Sequence, residues 1–218
     1  MGHQIKGIIF DMDGVLLYSS AIHERAYREA LADLPIREFC YSNVAGMRTD
    51  EALRVILADN NMPCTPELIG ALAATKRRLA RELIRSQNPV APGCVEVLGR
   101  LAGKYRLALA SSASKATIDL FLRQNGLLDR FASVLHGGDV LRAKPDPEIY
   151  ELACRRIGLP PGDCLIIEDA VSGVLAGKAA RAIVWGISAT CSAEELQKAG
   201  ADRVIDRLED ILPLLDGR

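Results

Sequence analysis

The segment at residues 8–14, IIFDMDG, constrains the fold most, because an apolar run stops abruptly in two aspartates and a glycine. Such a run favours a strand that is buried on both faces, as in a parallel sheet. Ligands of these sheets bind beyond the carboxyl ends of the strands, where Asp11 and Asp13 would lie. Two acids at such a place repel each other and lose water, so they need a cation, a shared proton or basic neighbours. The segment predicts a strand ending in an active site, although a polar strand end before a glycine turn fits the same residues.

Composition and charge exclude several classes of function. The chain has 218 residues with 49% hydrophobic and 25% charged side chains, which is typical of a globular protein. The net charge of -1 does not favour nucleic acid or an anionic membrane surface as a partner. No apolar stretch approaches the ~20 residues of a membrane span, and the N-terminus does not resemble a signal peptide. We therefore expect a cytoplasmic protein without nucleic-acid or membrane partners.

A helical unit follows the first strand. Residues 17–86 contain apolar residues at helical spacing and no convincing strand. The segment at 87–93, QNPVAPG, has two prolines and a glycine and indicates a hinge. We predict a core domain from residues 1–16 and 87–218 and a helical cap domain from residues 17–86.

Strands and helices alternate in the rest of the chain. This alternation predicts an α/β fold, a doubly wound, Rossmann-like parallel sheet into which the small helical cap is inserted. The predicted strands after the first are residues 107–110, 132–135, 164–167, 182–185 and 203–205.

Polar side chains follow four of these strands. In a parallel sheet the carboxyl ends of the strands meet at one edge, so we expect these side chains to converge. Carboxylate oxygens suit Mg2+, while a lysine and a serine at a helix start suit a phosphoryl group. Each residue alone also fits a structural role as a helix cap, a solvated lysine or a polar strand end. The set is Asp11 and Asp13, Ser111, Lys144, and Glu168 with Asp169.

Four segments that carry these residues resemble the motifs of the haloacid dehalogenase superfamily, in order and in spacing. They are DMDGVL at residues 11–16, Ser111 after its strand, AKPDP at residues 143–147 and IIEDA at residues 166–170. The resemblance covers nearly the whole chain. It is strongest for the branch with a helical cap, which includes beta-phosphoglucomutase and many sugar-phosphate phosphatases.

The resemblance implies a role for each catalytic residue. Asp11 would be the nucleophile that forms an aspartyl-phosphate, and Asp13 would be the general acid and base. Ser111 and Lys144 would hold the phosphoryl group. The acid at Asp13 favours phosphoryl chemistry over dehalogenation, because the dehalogenases of this superfamily lack it.

The resemblance also implies Mg2+ as the cofactor. Asp11, the main-chain carbonyl of Asp13 and Asp169 would hold the ion, and Glu168 would assist. The ion would offset the repulsion between the nucleophile and the phosphate.

Four further residues are candidates for substrate binding. Ser112 offers a backbone N–H at a helix start, and Arg48 suits a second anionic group. His23 is either near the general acid or a helix-surface residue, and Lys76 either faces the cleft or lies on a solvated basic face. We expect Thr49 to cap the helix after Arg48.

The chain departs from the resembled family in two places. Residues 18–20, YSS, stand where relatives commonly have Asp-Ser-Glu, so two acids are missing at the cap hinge. Arg181 follows Ala179-Ala180 where glycine is usual, so we expect it at a helix end that prefers glycine.

The sequence therefore predicts an enzyme that hydrolyses a small phosphate monoester, such as a sugar phosphate, with Mg2+. A phosphomutase of the beta-phosphoglucomutase type is the alternative with the same chemistry. A non-catalytic, phospho-accepting module is a more distant alternative. We expect a small phosphorylated metabolite as the partner and a monomer or a weak homodimer as the oligomeric state.

Overall fold

The centre of the protein is a parallel sheet, seen in a computed structural model that describes residues 4–216. Its strands are β1 (Gly7–Phe10), β2 (Arg106–Ala110), β3 (Ser133–Leu135), β4 (Cys164–Glu168), β5 (Ile183–Ile187) and β6 (Arg203–Ile205). They lie in the order β3-β2-β1-β4-β5-β6, and every pair of neighbours is parallel. The predicted doubly wound parallel sheet is confirmed. The strand order switches direction beside β1, which is where such sheets bind ligands.

Helices surround the sheet and form the inserted helical unit. They are α1 (Ser20–Ala30), α2 (Thr49–Asp59), α3 (Pro66–Gln87), α4 (Cys94–Ala102), α5 (Lys115–Gln124), α6 (Glu148–Arg156), α7 (Val171–Ala179), α8 (Ala193–Lys198) and α9 (Ile211–Asp216). Within residues 4–216, no helix is both long enough and apolar enough to cross a membrane.

Strand β1 is apolar throughout because it is covered on both faces. Ile8 and Phe10 belong to an apolar cluster with α4, α5 and α9. Ile9 belongs to a second cluster, with α6, α7 and α8. All four residues of the strand are buried. The chain therefore first becomes polar at the carboxyl end of β1, where Asp11 follows.

Helices α1, α2 and α3 form the inserted helical unit. They enclose an apolar cluster of their own, in which Tyr27, Leu53 and Ile69 are buried. Ala26 of α1 and Ile84 of α3 belong to the apolar cluster that also contains Ile8 and Phe10. We propose that this unit is a cap domain with the bounds 17–86, fixed to the core at its base.

The ends of three helices test the sequence interpretation. Thr65 caps α3, because its side chain accepts a hydrogen bond from the Leu68 N–H. Arg181 has a φ of 63° after α7, so the prediction of a site that prefers glycine is confirmed. The prediction that Thr49 caps α2 is wrong, because the helix begins at Thr49 and Arg48 is in the cap position. The Thr49 side chain instead interacts with the phenol of Tyr27.

Candidate active site

The carboxyl ends of the central strands and the cap enclose one cleft. The core contributes Asp11, Asp13, Ser111 and Ser112, which lie at the ends of β1 and β2. The cap contributes Tyr27, Tyr41, Met47, Thr49 and Arg77 together with His23 and Lys76. The structure thus brings the predicted core residues together with two of the three predicted cap residues.

Lys144 lies between two carboxylates beneath the cleft. Its Nζ is 2.6 Å from Asp11 Oδ1 and 2.6 Å from Glu168 Oε1. It also donates a hydrogen bond to the Ala110 carbonyl. Burial by itself lowers the pKa of Lys144, but Asp11 and Glu168 raise it well above its ordinary value. Lys144 is therefore a permanent buried cation at the end of β1.

The carboxylate of Asp11 is the group that most needs this cation. Burial raises the pKa of Asp11 to about 7, Lys144 opposes this rise, and Glu168 and Asp13 add to it. The neutral and ionised forms of Asp11 are therefore similar in free energy near pH 7. Any further cation beside Asp11 favours the ionised, nucleophilic form.

Glu168 is fully buried, and the protein occupies both of its oxygens. Oε1 accepts hydrogen bonds from Lys144 and from the Tyr150 hydroxyl, at 2.6 Å each. Oε2 accepts bonds from the N–H groups of Asp169 and Ala170. This arrangement suits Glu168 to positioning Lys144 and the turn after β4. The sequence contains no signal for the Tyr150 contact, because an aromatic residue at this point of α6 fits a core position equally well.

Asp13 has a different set of neighbours, which come from the start of α1. Ser19 Oγ donates to Asp13 Oδ1 at 2.6 Å, and His23 Nε2 lies 2.8 Å from the same oxygen. Burial raises the pKa of Asp13, but His23 and Ser19 outweigh it and lower the pKa below its ordinary value. Sequence reasoning treated residues 18–20 only as lost acids and missed Ser19.

Lys76 determines which His23 nitrogen carries the proton. Lys76 Nζ lies 3.1 Å from His23 Nδ1, and an ammonium group can only donate. Nδ1 is therefore the acceptor, and the Nε2–H of a neutral ring donates to Asp13. Burial and Lys76 lower the pKa of His23 although Asp13 opposes this, which keeps the ring neutral. The cap thus supplies an ordered chain of donors that ends at Asp13.

Asp169 lies against the turn that follows β1. A Cβ atom on Gly14, which has a φ of +81°, would be 1.7 Å from Asp169 Oδ2. Only a glycine there admits both this backbone conformation and the carboxylate. Burial raises the pKa of Asp169 well above its ordinary value, and Glu168 and Asp11 add to this effect. Asp169 is a buried acid between other acids, which is a place that suits a cation.

The donor set fits Mg2+. Among residues 4–216, no three His, Cys, Asp or Glu side chains converge as a ready-made metal cage. Mg2+ does not need one, because it commonly binds through one or two carboxylates, with water and substrate phosphate completing its shell. Asp11 and Asp169 would supply two carboxylates, and the Asp13 main chain would supply a carbonyl.

Ser111 and Ser112 face the cleft at the end of β2, before α5. Ser111 Oγ accepts a hydrogen bond from the Ala113 N–H at 3.0 Å, so its own proton can be donated to a ligand. The Ser112 hydroxyl donates instead to the Gly46 carbonyl of the cap at 2.6 Å. Ser114 caps α5 by accepting a bond from the Thr117 N–H.

Arg48 does not line this cleft but an adjoining pocket, which shares Arg77 and Ser112 with the cleft. Its guanidinium pairs with Glu51 and donates to carbonyls of residues 137, 140 and 141 in the core. The neighbouring Thr49 and, from α3, Arg77 face the cleft. The sequence pattern alone contains no signal for this choice, since the direction of a side chain at a helix start depends on its distant neighbours.

Comparison with known proteins gives relatives of similar length. A phosphorylated carbohydrates phosphatase of Thermotoga maritima is 30% identical over 97% of this chain and 98% of its own. Beta-phosphoglucomutase of Bacillus subtilis is 28% identical over 95% and 92%. The crystal structure of beta-phosphoglucomutase from Clostridium difficile superposes with a TM-score of 0.85 and 26% identity, over 98% of both chains. In contrast, this chain spans only 65% and 20% of the lengths of two Arabidopsis thaliana relatives.

The family assignment rests on a match to the core and the cap together. The model of the haloacid dehalogenase-like hydrolases matches residues 5–181. This range includes every strand tip of the cleft, from Asp11 to Asp169, and the whole helical unit. The chain therefore belongs to the haloacid dehalogenase-like hydrolase family.

Proposed function

We propose that this protein hydrolyses a small phosphate monoester of the sugar-phosphate class with Mg2+ as cofactor. One observation carries the proposal, namely the different surroundings of Asp11 and Asp13. Asp11 contacts the buried cation Lys144. Asp13 is instead held by neutral donors of the cap. A nucleophile and a proton carrier need this separation of roles.

In the first step, Asp11 attacks the phosphorus atom in line with the leaving oxygen. The P–O bond to the leaving group breaks, and an aspartyl-phosphate forms. Asp13 is ionised in the free enzyme because its pKa is lowered, so it must take up a proton when the substrate binds and then gives this proton to the leaving oxygen. Ser111 offers a donor to the phosphoryl oxygens. The three N–H groups of Lys144 are already bonded, so its positive charge supports the charge that develops on these oxygens from beneath the cleft.

In the second step, Asp13 takes a proton from water, which then attacks the same phosphorus atom. The Asp11–phosphate bond breaks, and inorganic phosphate leaves. His23 and Ser19 keep the Asp13 carboxylate aimed at the cleft in both steps. Proton transfer of this kind contributes about 100- to 10,000-fold to a rate.

Mg2+ would be held by Asp11, Asp169 and the main-chain carbonyl of Asp13. Its charge would lower the repulsion between the Asp11 carboxylate and the substrate phosphate. Glu168 would act through Lys144, because both of its oxygens are already bonded.

The cap must move for a substrate to enter. The enclosed space between cap and core is about 50 Å³, which is room for a few water molecules. A sugar phosphate is larger than this. We therefore propose that the substrate binds to an opened form, and that closure excludes bulk water from the aspartyl-phosphate.

A phosphomutase is the second candidate, and the likeness to the two beta-phosphoglucomutases supports it. Such an enzyme would transfer the phosphoryl group from Asp11 to a second hydroxyl and would have to grip a distal phosphate. Arg48 is engaged by the protein, and the Thr49 beside it is uncharged, which favours hydrolysis. Arg77 also lines the cleft and is the residue that a distal phosphate would have to use.

A panel of phosphorylated metabolites with Mg2+ tests this proposal. We expect inorganic phosphate from at least one small monoester and loss of its release in excess EDTA. A hexose 1-phosphate with catalytic bisphosphate should release phosphate faster than it forms hexose 6-phosphate. Rapid isomerisation almost without phosphate release would establish the mutase instead, and undiminished turnover in EDTA would contradict the cofactor.

A further inference from the structure

We propose that Arg48 is a positioning residue that fixes the cap loop, residues 45–48, to the core and is not a substrate ligand. The proposal rests on the proposed function, because it assigns Arg48 an effect on every substrate alike. It concerns the loop that joins the short turn at residues 41–44 to α2.

The protein itself supplies an acceptor for every donor of Arg48. A guanidinium group has five N–H donors. Nε and Nη2 both donate to Glu51 Oε1, at 3.2 and 2.5 Å. Nη1 donates to the carbonyls of Gly137 and Val140, at 3.4 and 3.3 Å, and Nη2 also donates to that of Leu141, at 3.1 Å. In this arrangement no donor remains for a substrate anion.

Two further hydrogen bonds fix the same loop from other elements of the core. Ser112 Oγ, after β2, donates to the Gly46 carbonyl at 2.6 Å. Ser172 Oγ, in the first turn of α7, donates to the Ala45 carbonyl at 2.9 Å. The cap loop therefore contacts the segments after β2, β3 and β4, which are three of the four that surround the catalytic site.

The fit of the loop is close. A Cβ atom on Gly46, whose φ is +77°, would lie 2.5 Å from Ser172 Oγ. A Cβ atom on Gly137 would lie 2.6 Å from the Ser112 carbonyl oxygen and 3.3 Å from Arg48 Cγ. Because Gly137 has no side chain, both Arg48 Cγ and the Ser112 carbonyl pack closely against it. A displacement of Arg48 would therefore also displace Ser112 through this shared contact.

The position of the cap loop is therefore coupled to the position of the residues that bind phosphate. Ser112 follows Ser111, the proposed phosphoryl ligand, and its hydroxyl is bonded to the cap loop. Without Arg48, the loop loses its bonds to residues 137–141, and the closed geometry is less well maintained. Misplacement of about 1 Å can lower a rate by about 100-fold, irrespective of which leaving group is bound.

The test compares two substitutions of Arg48 with two other arginines of the cap. Arg48→Ala removes all five hydrogen bonds, and Arg48→Lys retains the charge but not the planar fork. Arg54→Ala is the matched control, since Arg54 is an exposed residue of α2. Arg77→Ala is the contrast, because Arg77 lines the cleft. For each variant, kcat and KM are measured on monoesters with and without a second anionic group, and amide hydrogen exchange is followed at residues 112–114 and 137–141.

We expect Arg48→Ala to lower kcat/KM by about 10- to 100-fold for every substrate, with ratios between substrates unchanged within about twofold. Arg48→Lys should show a smaller uniform loss, and amide exchange should become faster at both segments. Arg54→Ala should match the wild type, whereas Arg77→Ala should change the ratios. A loss confined to substrates with a second anionic group would overturn the proposal and make Arg48 a ligand.

The two proposals fail in different ways. If the wild type releases no phosphate from any monoester, the proposed function fails, and hydrogen exchange alone decides the role of Arg48. Faster exchange at residues 137–141 in Arg48→Ala then supports the positioning role, and unchanged exchange overturns it. If Arg48→Ala does not fold, the same criteria apply to Arg48→Lys, with folding checked by circular dichroism.

Discussion

Lys144 Nζ lies 2.6 Å from Asp11 Oδ1, and both side chains are buried at the end of β1. A buried ion pair loses the hydration of both ions, so its worth depends on further hydrogen bonds. Lys144 has them, to Glu168 and to the Ala110 carbonyl. The cation is thus held in place by the core before any substrate arrives.

For this reason, Lys144→Met should lower both the activity and the stability of the protein. The substitution leaves Asp11 and Glu168 buried beside each other without their cation, and breaking such a pair typically costs about 3–5 kcal/mol. It also removes the main influence that lowers the pKa of Asp11. We expect turnover at pH 7 to fall by at least about 100-fold and the free energy of unfolding to decrease in denaturant titrations. Wild-type stability in this variant would contradict the description of the site, and Lys198→Met, at an exposed lysine of α8, is the control.

Lys76→Met should show the opposite effect on stability. Burial lowers the pKa of Lys76 to about 8, whereas the unfolded chain binds this proton up to about pH 10.4. Between these pH values the unfolded state carries more protons, so stability rises with pH in the wild type. The variant should lack this rise and be more stable at pH 7 by about 1–3 kcal/mol.

Urea unfolding of wild type and Lys76→Met at pH 7 and pH 9.5 measures this difference. The variant should also turn over more slowly, because His23 loses the donor that orients its ring toward Asp13. A difference in stability that does not change between the two pH values would show that the pKa of Lys76 is not lowered in the folded protein.

Gly14→Ala should inactivate the enzyme through Asp169. The new Cβ atom would lie 1.7 Å from Asp169 Oδ2 and would also have to adopt a positive φ. We expect the apparent affinity for Mg2+ to fall at least about tenfold, together with thermal stability. Gly99→Ala in α4 is the matched control, since no atom of another element lies within 4 Å of its Cβ position. That substitution should stabilise the helix by about 0.5–1 kcal/mol. Equal effects of the two substitutions would contradict the role of Gly14.

Much of the fold could be predicted from local sequence. The apolar run before Asp11 is explained by burial on both faces of β1, and each predicted strand matches an observed one within a few residues. The order of the strands in the sheet could not be derived, because it depends on contacts between segments far apart in the chain. The polar ends of the strands were predictable since a parallel sheet brings them to one edge.

The directions of individual side chains were less predictable. Thr49 has the residue type of a helix cap, but its hydroxyl interacts with Tyr27, and the expected cap does not form. Glu168 has the residue type of a metal ligand, but Lys144, Tyr150 and two backbone N–H groups occupy its oxygens. In both cases distant partners decide among several bonds that the residue type allows.

The roles of the two aspartates make the most direct prediction. With an aryl phosphate, whose leaving group needs no proton, Asp13→Asn should still form the aspartyl-phosphate. It should then hydrolyse it slowly, because no base activates the attacking water. The phosphoenzyme should therefore accumulate in this variant and remain transient in the wild type.

Rapid quenching followed by mass spectrometry of the peptide that contains residues 7–17 measures this species. The account predicts one phosphoryl group on Asp11 in the first turnover, more of it in Asp13→Asn, and none in Asp11→Asn. Phosphate release by Asp11→Asn at the wild-type rate, with deamidation excluded, or a phosphoryl group on another residue, would contradict it.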